Sequence, residues 1–386
     1  MNLTQEQKYT ILSELVSEEN GLQQILQVSL ESLMKSEREL YREKHDDYSN
    51  GFRVRKTYGR GKMLELKIPR TRSGQFHPVI LGLLRDQEEE ARKIAFKLYG
   101  AGLTTEQVGD VFGDLYGHHY STSQVSRMFD YAREEVEQWL NRPLESYYPI
   151  VYIDAVFIST RRVDSVSKEA YYTVLGVKDD LTREVLGVFN NPTESALFWN
   201  DILADFKSRG VREIGLFVSD GLSGIETSIS KNFPNSEVQL CCIHLMRECQ
   251  KYAKPAHKSE MAEDLKDVFQ TNDSQDNQEQ GFSRWKLFCN KWSKYYKSFS
   301  NKANNERYRL YFTYLGYDYR IRNMIYSTNW VERLNRDYKR TTKMRTSLPN
   351  PQATLLLLGS VAMTRKAYQY KITALRHEKN KFKWEE

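Results

Sequence analysis

Tyr147 to Ser159, YYPIVYIDAVFIS, decides how the chain is read. It is a β-rich apolar run interrupted by a single aspartate, Asp154, and burying an unpaired carboxylate in such a strand costs several kcal/mol. Two more strand-like runs follow, YYTVLGVKDD from Tyr171 and EVLGVFN from Glu184, separated by a turn at Lys178 to Thr182. SALFWNDILADFKSRG then carries Leu197, Phe198, Ile202, Leu203 and Phe206 at helical spacing and stops at Gly210. IGLFVSDGLSG is a further apolar strand, ending in Asp220-Gly221. Strand, strand, strand, helix, strand is the order of a mixed α/β sheet, with one aspartate inside a strand and another at a strand's C-terminal end.

Beyond Gln239 the strand pattern fades. Residues 250 to 326 read as a helical insertion, with a polar, disorder-prone TNDSQDNQEQ and a Tyr- and Trp-rich run from Trp285 to Tyr326. STNWVERLNRDYKRTTK, Ser327 to Lys343, comes next. Thr328 and Asn329 are suited to cap a helix on which Glu332, Arg336, Lys339 and Lys343 share one face, and Val331, Leu334 and Tyr338 another. One carboxylate followed by a ladder of cations suits a metal beside a phosphate backbone; an ordinary surface helix with ion pairs is the plainer reading. LLLLGSVAMTRKAY supplies a last buried helix, and the tail RHEKNKFKWEE reads as charged and frayed.

Upstream of the sheet the chain is modular. Residues 1 to about 47 are helical, with Ile11, Leu12, Leu15 and Val16, then Leu22, Ile25, Leu26, Leu30 and Leu33 at helical spacing, and a break at Asn20-Gly21. Ser49 to His77 reads as a small β-hairpin with eight basic residues between Phe52 and Arg72 against the lone acid Glu65. From Glu88 three helices follow, joined by short turns. Thr104 with Gln107 and Ser121 with Gln124 form two capping-box signatures, the second opening a helix through Val125, Met128 and Tyr131. That is a helix-turn-helix pattern whose recognition helix presents Ser123, Gln124 and Arg127, with a structural three-helix bundle as the alternative.

The net charge of +6 fits a polyanionic partner without demanding one. No apolar run has a membrane span's length and the N-terminus lacks a signal peptide's pattern, so a soluble, cytoplasmic protein is expected. Cys241, Cys242 and Cys249 make no disulfide framework, and C-x2-H-x4-C-x7-H through His244 and His257 matches no zinc pattern. Eight tyrosines between Tyr295 and Tyr326 lack the ordered Arg and His cluster of a tyrosine recombinase. The strongest chemical constellation is Asp154, Asp220 and Glu332. Phosphodiester chemistry uses two Mg²⁺ ions about 4 Å apart, held by hard oxygen ligands, and carboxylates from two strands and a helix meet that need. Against it stands the reading of the two aspartates as a strand cap and a turn residue.

These residues carry a resemblance. YIDAVF around Asp154, ESALFWNDILADFKSRGV, VSDGLSG at Asp220, the pair Cys241 and His244, and STNWVERLNRDYKR around Glu332 resemble the bacterial insertion-sequence transposases of the Mutator superfamily. Upstream, NGFRVRKTYGRGKMLELKIPRTRSGQF and LYGAGLTTEQVGDVFGDLYG are similar to the family's N-terminal part, so the likeness spans most of residues 50 to 365. Trp330, and the lack of a proline in FTYLGYDYRIRNMIYSTN, depart from the family pattern. The resemblance implies a ribonuclease-H-like catalytic fold with an all-helical insertion, and a DDE triad of Asp154, Asp220 and Glu332 as catalytic residues and metal ligands. It also implies His244 near the scissile phosphate, with the Cys241 thiol packed beneath.

The expected division is 1–48 (helical), 49–86 (basic hairpin), 87–145 (helix-turn-helix), 146–248 (catalytic core, first part), 249–326 (helical insertion) and 327–386 (core C-terminal helices and tail). Function on this reading is Mg²⁺-dependent transposition by a nucleoid-associated homodimer on double-stranded DNA, with Mn²⁺ able to substitute. Phosphate contacts fall to Arg53, Arg55, Arg60, Lys62 and Arg72 and to Arg336, Lys339 and Lys343; base reading falls to Arg127 and its neighbours. Two rivals remain: a helix-turn-helix regulator with structural acids, and a ribonuclease-H-like nuclease or resolvase that cuts without joining. Trp285, Trp292 or Trp330 is a further candidate, to stack on an unpaired base.

Overall fold

The computed structural model describes residues 4–6, 9–10, 13, 21–59, 62–116, 120–163, 165–191, 195–343, 345–378 and 381–383. Two compact units emerge, Met1–Arg133 and Glu134–Glu386. No helix among the described residues is long and apolar enough to cross a membrane.

In the first unit, helix α1 (Gly21–His45) lays Leu30 and Met34 on Leu64, Leu66 and Ile68 of an antiparallel ribbon, β1 (Ser49–Gly59) with β2 (Lys62–Thr71). The earlier apolar positions Ile11, Leu12, Leu15 and Val16 lie outside the described residues. Helices α2 (Ile80–Gly100), α3 (Thr105–Tyr116) and α4 (Thr122–Met128) follow. Both capping boxes form: Thr104 exchanges hydrogen bonds with Gln107, and Ser121 with Gln124. A Cβ on Gly109 would come within 2.5 Å of the Tyr120 carbonyl oxygen, so α3 meets the chain before α4 at a distance only glycine permits. One expectation changes. The third helix does not run on through Tyr131; it stops at Met128, and α5 (Asp130–Leu140) starts afresh after Phe129, whose ring packs on Phe96 and Tyr99.

The second unit is built on a five-stranded sheet of order β5-β4-β3-β6-β7: β3 (Tyr147–Arg161), β4 (Val166–Val177), β5 (Arg183–Asn190), β6 (Glu213–Ser219) and β7 (Glu237–Leu240). β3, β4 and β5 are antiparallel neighbours, while β6 runs parallel to β3 and β7 parallel to β6. On one face Val151, Ile153 and Phe217 pack with Trp199, Leu203 and Phe206 of α6 (Ala196–Ser208) and Ile225 and Ile229 of α7 (Ile225–Asn232). β7 was not legible as a strand, since four residues are too few to show a period.

Past β7 come α8 (Cys242–Lys251), α9 (Pro255–Val268), α10 (Gln278–Ser293), α11 (Ser298–Ala303), a 3₁₀ stretch Glu306–Gly316 and α12 (Arg322–Ile325). The polar Thr271–Gln280 stretch is not loose. Asp276 is buried and takes both arms of Arg284, while the buried Arg322 donates to the carbonyls of Asp273, Asp276, Leu315 and Tyr317. Trp285 and Trp292 are wholly enclosed, so neither is open to an unpaired base. Helices α13 (Asn329–Thr342) and α14 (Pro351–Met363) return to the sheet, α13 crossing β3. The described tail residues 381–383 dock: Phe382 packs on Tyr317, and Lys381 and Lys383 pair with Glu237 and Glu213, while residues 379–380 and 384–386 lie outside the described residues.

Candidate active site

Sheet register brings the two aspartates together. Asp154 opposes Thr173 of β4, and its predecessor Ile153 opposes Ser219, the last residue of β6; one step further along the same parallel pair stands Asp220. The β6–β7 ladder extends beyond the strands through Cys241 N–H, which donates to the Ser219 carbonyl at 2.8 Å, so α8 leaves the sheet beside Asp220.

Helix α13 supplies the third acid. Val331, Leu334 and Tyr338 are its buried stripe, as the spacing predicted, and Glu332 flanks them. Thr328 stands at the cap position but its hydroxyl makes no cap; it donates instead to the Cys241 sulfur at 3.6 Å, and Cys242 N–H donates to the Tyr326 carbonyl at 2.9 Å. The starts of α8 and α13 are thereby stitched together. Cys241 is fully buried beneath the site and burial pushes its thiol up, keeping it protonated.

The side chains form a chain of contacts. His244 Nδ1 lies 3.9 Å from Asp220 Oδ1 and His244 Nε2 3.9 Å from Glu332 Oε1, both beyond hydrogen-bond range, and the buried Nδ1 has no hydrogen-bond partner among the described residues. Asp154 is 5% exposed and accepts a side-chain hydrogen bond, at 2.7 Å, from Asn335 Nδ2. Burial first, then the charges of Glu332 and Asp220, push the Asp154 carboxyl up to about 7, against the backbone N–H of Ala155 and the Asn335 amide. Arg247 closes its guanidinium on both oxygens of Glu332, at 2.9 and 3.5 Å.

Asn335 and Arg247 were not anticipated. Their signal was spacing: Asn335 is three residues beyond Glu332 on α13, and Arg247 three beyond His244 on α8, so each shares a face with a residue already singled out. Among the described residues, no three His, Cys, Asp or Glu side chains stand close enough to hold a metal ion as placed. The donor chemistry nonetheless fits a hard divalent cation: Asp154, Asp220 and Glu332 are hard oxygen donors, burial and the charges of Glu332 and Asp220 raise the Asp154 carboxyl, and a cationic guanidinium already covers Glu332.

The remaining candidates are dispersed. Arg336, Lys339 and Lys343 are exposed on and just beyond α13. Trp330 lies between the Arg183 and Arg333 guanidinium groups, at 4.5 and 4.9 Å. In the first unit, Ser123 and Arg127 are exposed on α4, while Gln124 is committed to its capping box. Arg72 is exposed beside the Tyr48 ring. Arg53 and Arg55 oppose Ile68 and Leu66 in the ribbon, so they project from the face that packs on α1; Lys56 and Lys67 share the opposite face with Val54, while the Phe52 ring meets Lys35 and Arg38 of α1. Arg60 and the side chain of Lys62 lie outside the described residues.

Known proteins are similar to this chain over most of its length. A family model described as "Transposase, Mutator family" matches residues 3–372. The transposase for insertion sequence element IS905 of Lactococcus lactis subsp. lactis is 30% identical over 310 residues, 80% of this chain and 76% of that protein. The transposase for IS1201 of Lactobacillus helveticus is 30% identical over 82% of this chain and 84% of its own length. The transposase for IS256 in transposon Tn4001 of Staphylococcus aureus is 27% identical over 83% and 82%.

Proposed function

The chain belongs to the Mutator family of transposases, and on that premise we propose that it is a DDE-type enzyme that cleaves DNA at the ends of an insertion sequence and joins them to a target. The observation that carries this reading is that Asp154 and Asp220 stand on neighbouring strands, that the charges of Glu332 from α13 and of Asp220 both act on Asp154, and that His244 lies between Asp220 and Glu332. The strand order, three antiparallel strands flanked by two parallel ones, supports a ribonuclease-H-like core.

In this reading Asp154, Asp220 and Glu332 would together hold Mg²⁺, or Mn²⁺ in its place. Bound there, the ions supply positive charge against the phosphoryl oxygens and ease deprotonation of the attacking hydroxyl. The chain's own groups do the rest. Asn335 orients Asp154. His244, between Asp220 and Glu332, donates to a non-bridging oxygen of the scissile phosphate. Arg336, Lys339 and Lys343 carry the backbone away from the acids, and the exposed Arg127 on α4 reads the terminal inverted repeats.

Two displacements follow. Water attacks the phosphodiester at the element's end, a P–O bond breaks, and a 3′-OH is released. That hydroxyl attacks a target phosphodiester, forming one P–O bond as another breaks, so no nucleotide cofactor is consumed. Two ends must be joined together, which calls for a homodimer. The test is a pre-cleaved end incubated with plasmid and Mg²⁺. Joined product is expected from the wild type and none from Asp220→Asn or Glu332→Gln, both retaining DNA binding; cutting without joining by the wild type refutes the transposase reading in favour of a nuclease.

A further inference from the structure

Beside the acids lies a recess of about 710 Å³, within the roughly 300–1,000 Å³ of pockets that enclose a ligand. One wall is a face of α8, where His244, Arg247 and Lys251 follow at i, i+3 and i+7. The other is the 3₁₀ stretch, which contributes Arg307 and Tyr311; Asp220 lies at the recess's edge. A Cβ placed on Gly221 would stand 3.5 Å from both Arg307 Nη2 and Tyr311 Oη, so this wall closes directly over the loop that follows Asp220.

Two of the cations here are held by carboxylates. Arg247 is paired with Glu332, and Arg307 with Glu226 at 2.7 and 3.0 Å. Among the described residues no carboxylate pairs with Lys251. These groups are exposed at the margin of an otherwise polar recess, which argues against an apolar guest. From His244 to Lys251 is seven residues, about 10 Å along a helix. A DNA strand rises about 3.4 Å per nucleotide, so about three nucleotides pass along that face.

We propose that the recess is a phosphate-binding track for the DNA strand adjoining the scissile phosphate, with Lys251 and Arg307 as its fixed contacts and Arg247 as an exchanging one. Arg247 leaves Glu332 for a backbone phosphate as the strand enters, which frees the Glu332 carboxylate for a cation when it is needed. Arginine suits this exchange because its planar fork matches carboxylate and phosphate alike. The proposal rests on the transposase reading above and assigns that site's substrate contacts.

The experiment uses the full chain without divalent metal and duplexes ending at the cleaved position, each carrying one neutral methylphosphonate linkage within three nucleotides of the end. With wild type, one such linkage is expected to weaken binding about two- to fivefold, the range of an exposed ion pair. In Lys251→Gln or Arg307→Gln the same linkage costs nothing further, and the slope of log K against log salt falls by about 0.7 to 0.9 for the lost contact. Equal penalties in wild type and both variants, or no sensitive linkage in the wild type, overturn the track while leaving the transposase reading intact. A wild-type chain that binds no DNA at all sinks the transposase reading instead. The exchange has its own readout: Arg247→Lys keeps the charge but not the fork, so Mn²⁺ binding to the DNA-free protein, followed by electron paramagnetic resonance, tightens about two- to fivefold. Unchanged Mn²⁺ affinity overturns the exchange.

Discussion

Replacing Asp154 by asparagine is expected to stabilise the protein as it abolishes catalysis, because the native fold bears the cost of an acid it does not want ionised. The carboxyl is pushed from 3.8 to about 7 by burial and by the charges of Glu332 and Asp220. A group whose native pKa lies above its unfolded value costs nothing below the unfolded pKa, costs progressively more as pH rises between the two, and its full penalty above the native one. At about 1.4 kcal/mol per pH unit the ceiling is about 4 kcal/mol at pH 8, against roughly 1.6 kcal/mol at pH 5. Asparagine carries no charge, so it escapes the penalty at every pH, and its side-chain oxygen still accepts from Asn335. All six tryptophans lie at or beyond Trp139, so urea unfolding followed by tryptophan emission reports the second unit alone. Asp154→Asn is expected to be more stable than wild type, with a gain about 2 kcal/mol larger at pH 8 than at pH 5 and no end joining at either pH. A gain that does not grow with pH, or a loss, refutes the assignment of Asp154 as a carboxyl raised by burial and by the charges of its neighbours.

Asn335→Ala leaves the buried Asp154 without its side-chain donor and is expected to cost about 1–3 kcal/mol in the same urea experiment, more at pH 8 than at pH 5. Neutralising the exposed Lys339 and Lys343 together is expected to lower the salt slope of DNA binding by about one unit per lost phosphate contact; an unchanged slope returns them to an ordinary surface helix. Gly281→Ala sets a Cβ 2.5 Å from the Phe312 ring and 2.6 Å from Leu315, so about 1–3 kcal/mol of destabilisation is expected, measured as a shifted unfolding midpoint.

What the sequence discloses depends on whether a signal is local. Asp154 stands out because a charge interrupts an apolar run, and Glu332 because it heads a basic helical face beside a buried stripe. Both signals survive in the folded chain, as do the capping boxes and the basic ribbon. β7 escapes notice at four residues, although it sets where α8 begins. The Thr271–Gln280 stretch misleads by composition, because its order comes from Arg284 and Arg322, which lie 8 and 46 residues from Asp276. Arg247 and Asn335 escape for the same reason: each matters through a partner 85 or 181 residues away, and no window on one sequence holds both.

That distance explains how three mutually repelling carboxylates are kept together. Nothing in Asp154, Asp220 and Glu332 draws them to one point, and the charges of Glu332 and Asp220 add to burial in raising the Asp154 carboxyl. Their spacing is imposed from beneath, by the backbone. Cys241 N–H on the Ser219 carbonyl fixes α8 to the strand that ends at Asp220. Cys242 N–H on the Tyr326 carbonyl, with the Thr328 hydroxyl on the Cys241 sulfur, fixes the start of α13 to the start of α8. Glu332 is four residues along α13 from Thr328, its backbone N–H bonded to the Thr328 carbonyl, so its place follows from the stitching rather than from its charge. The cysteines flanking this junction therefore serve as a buried hinge-pin of backbone and sulfur, and the acids above it are free to be as repulsive as their chemistry requires.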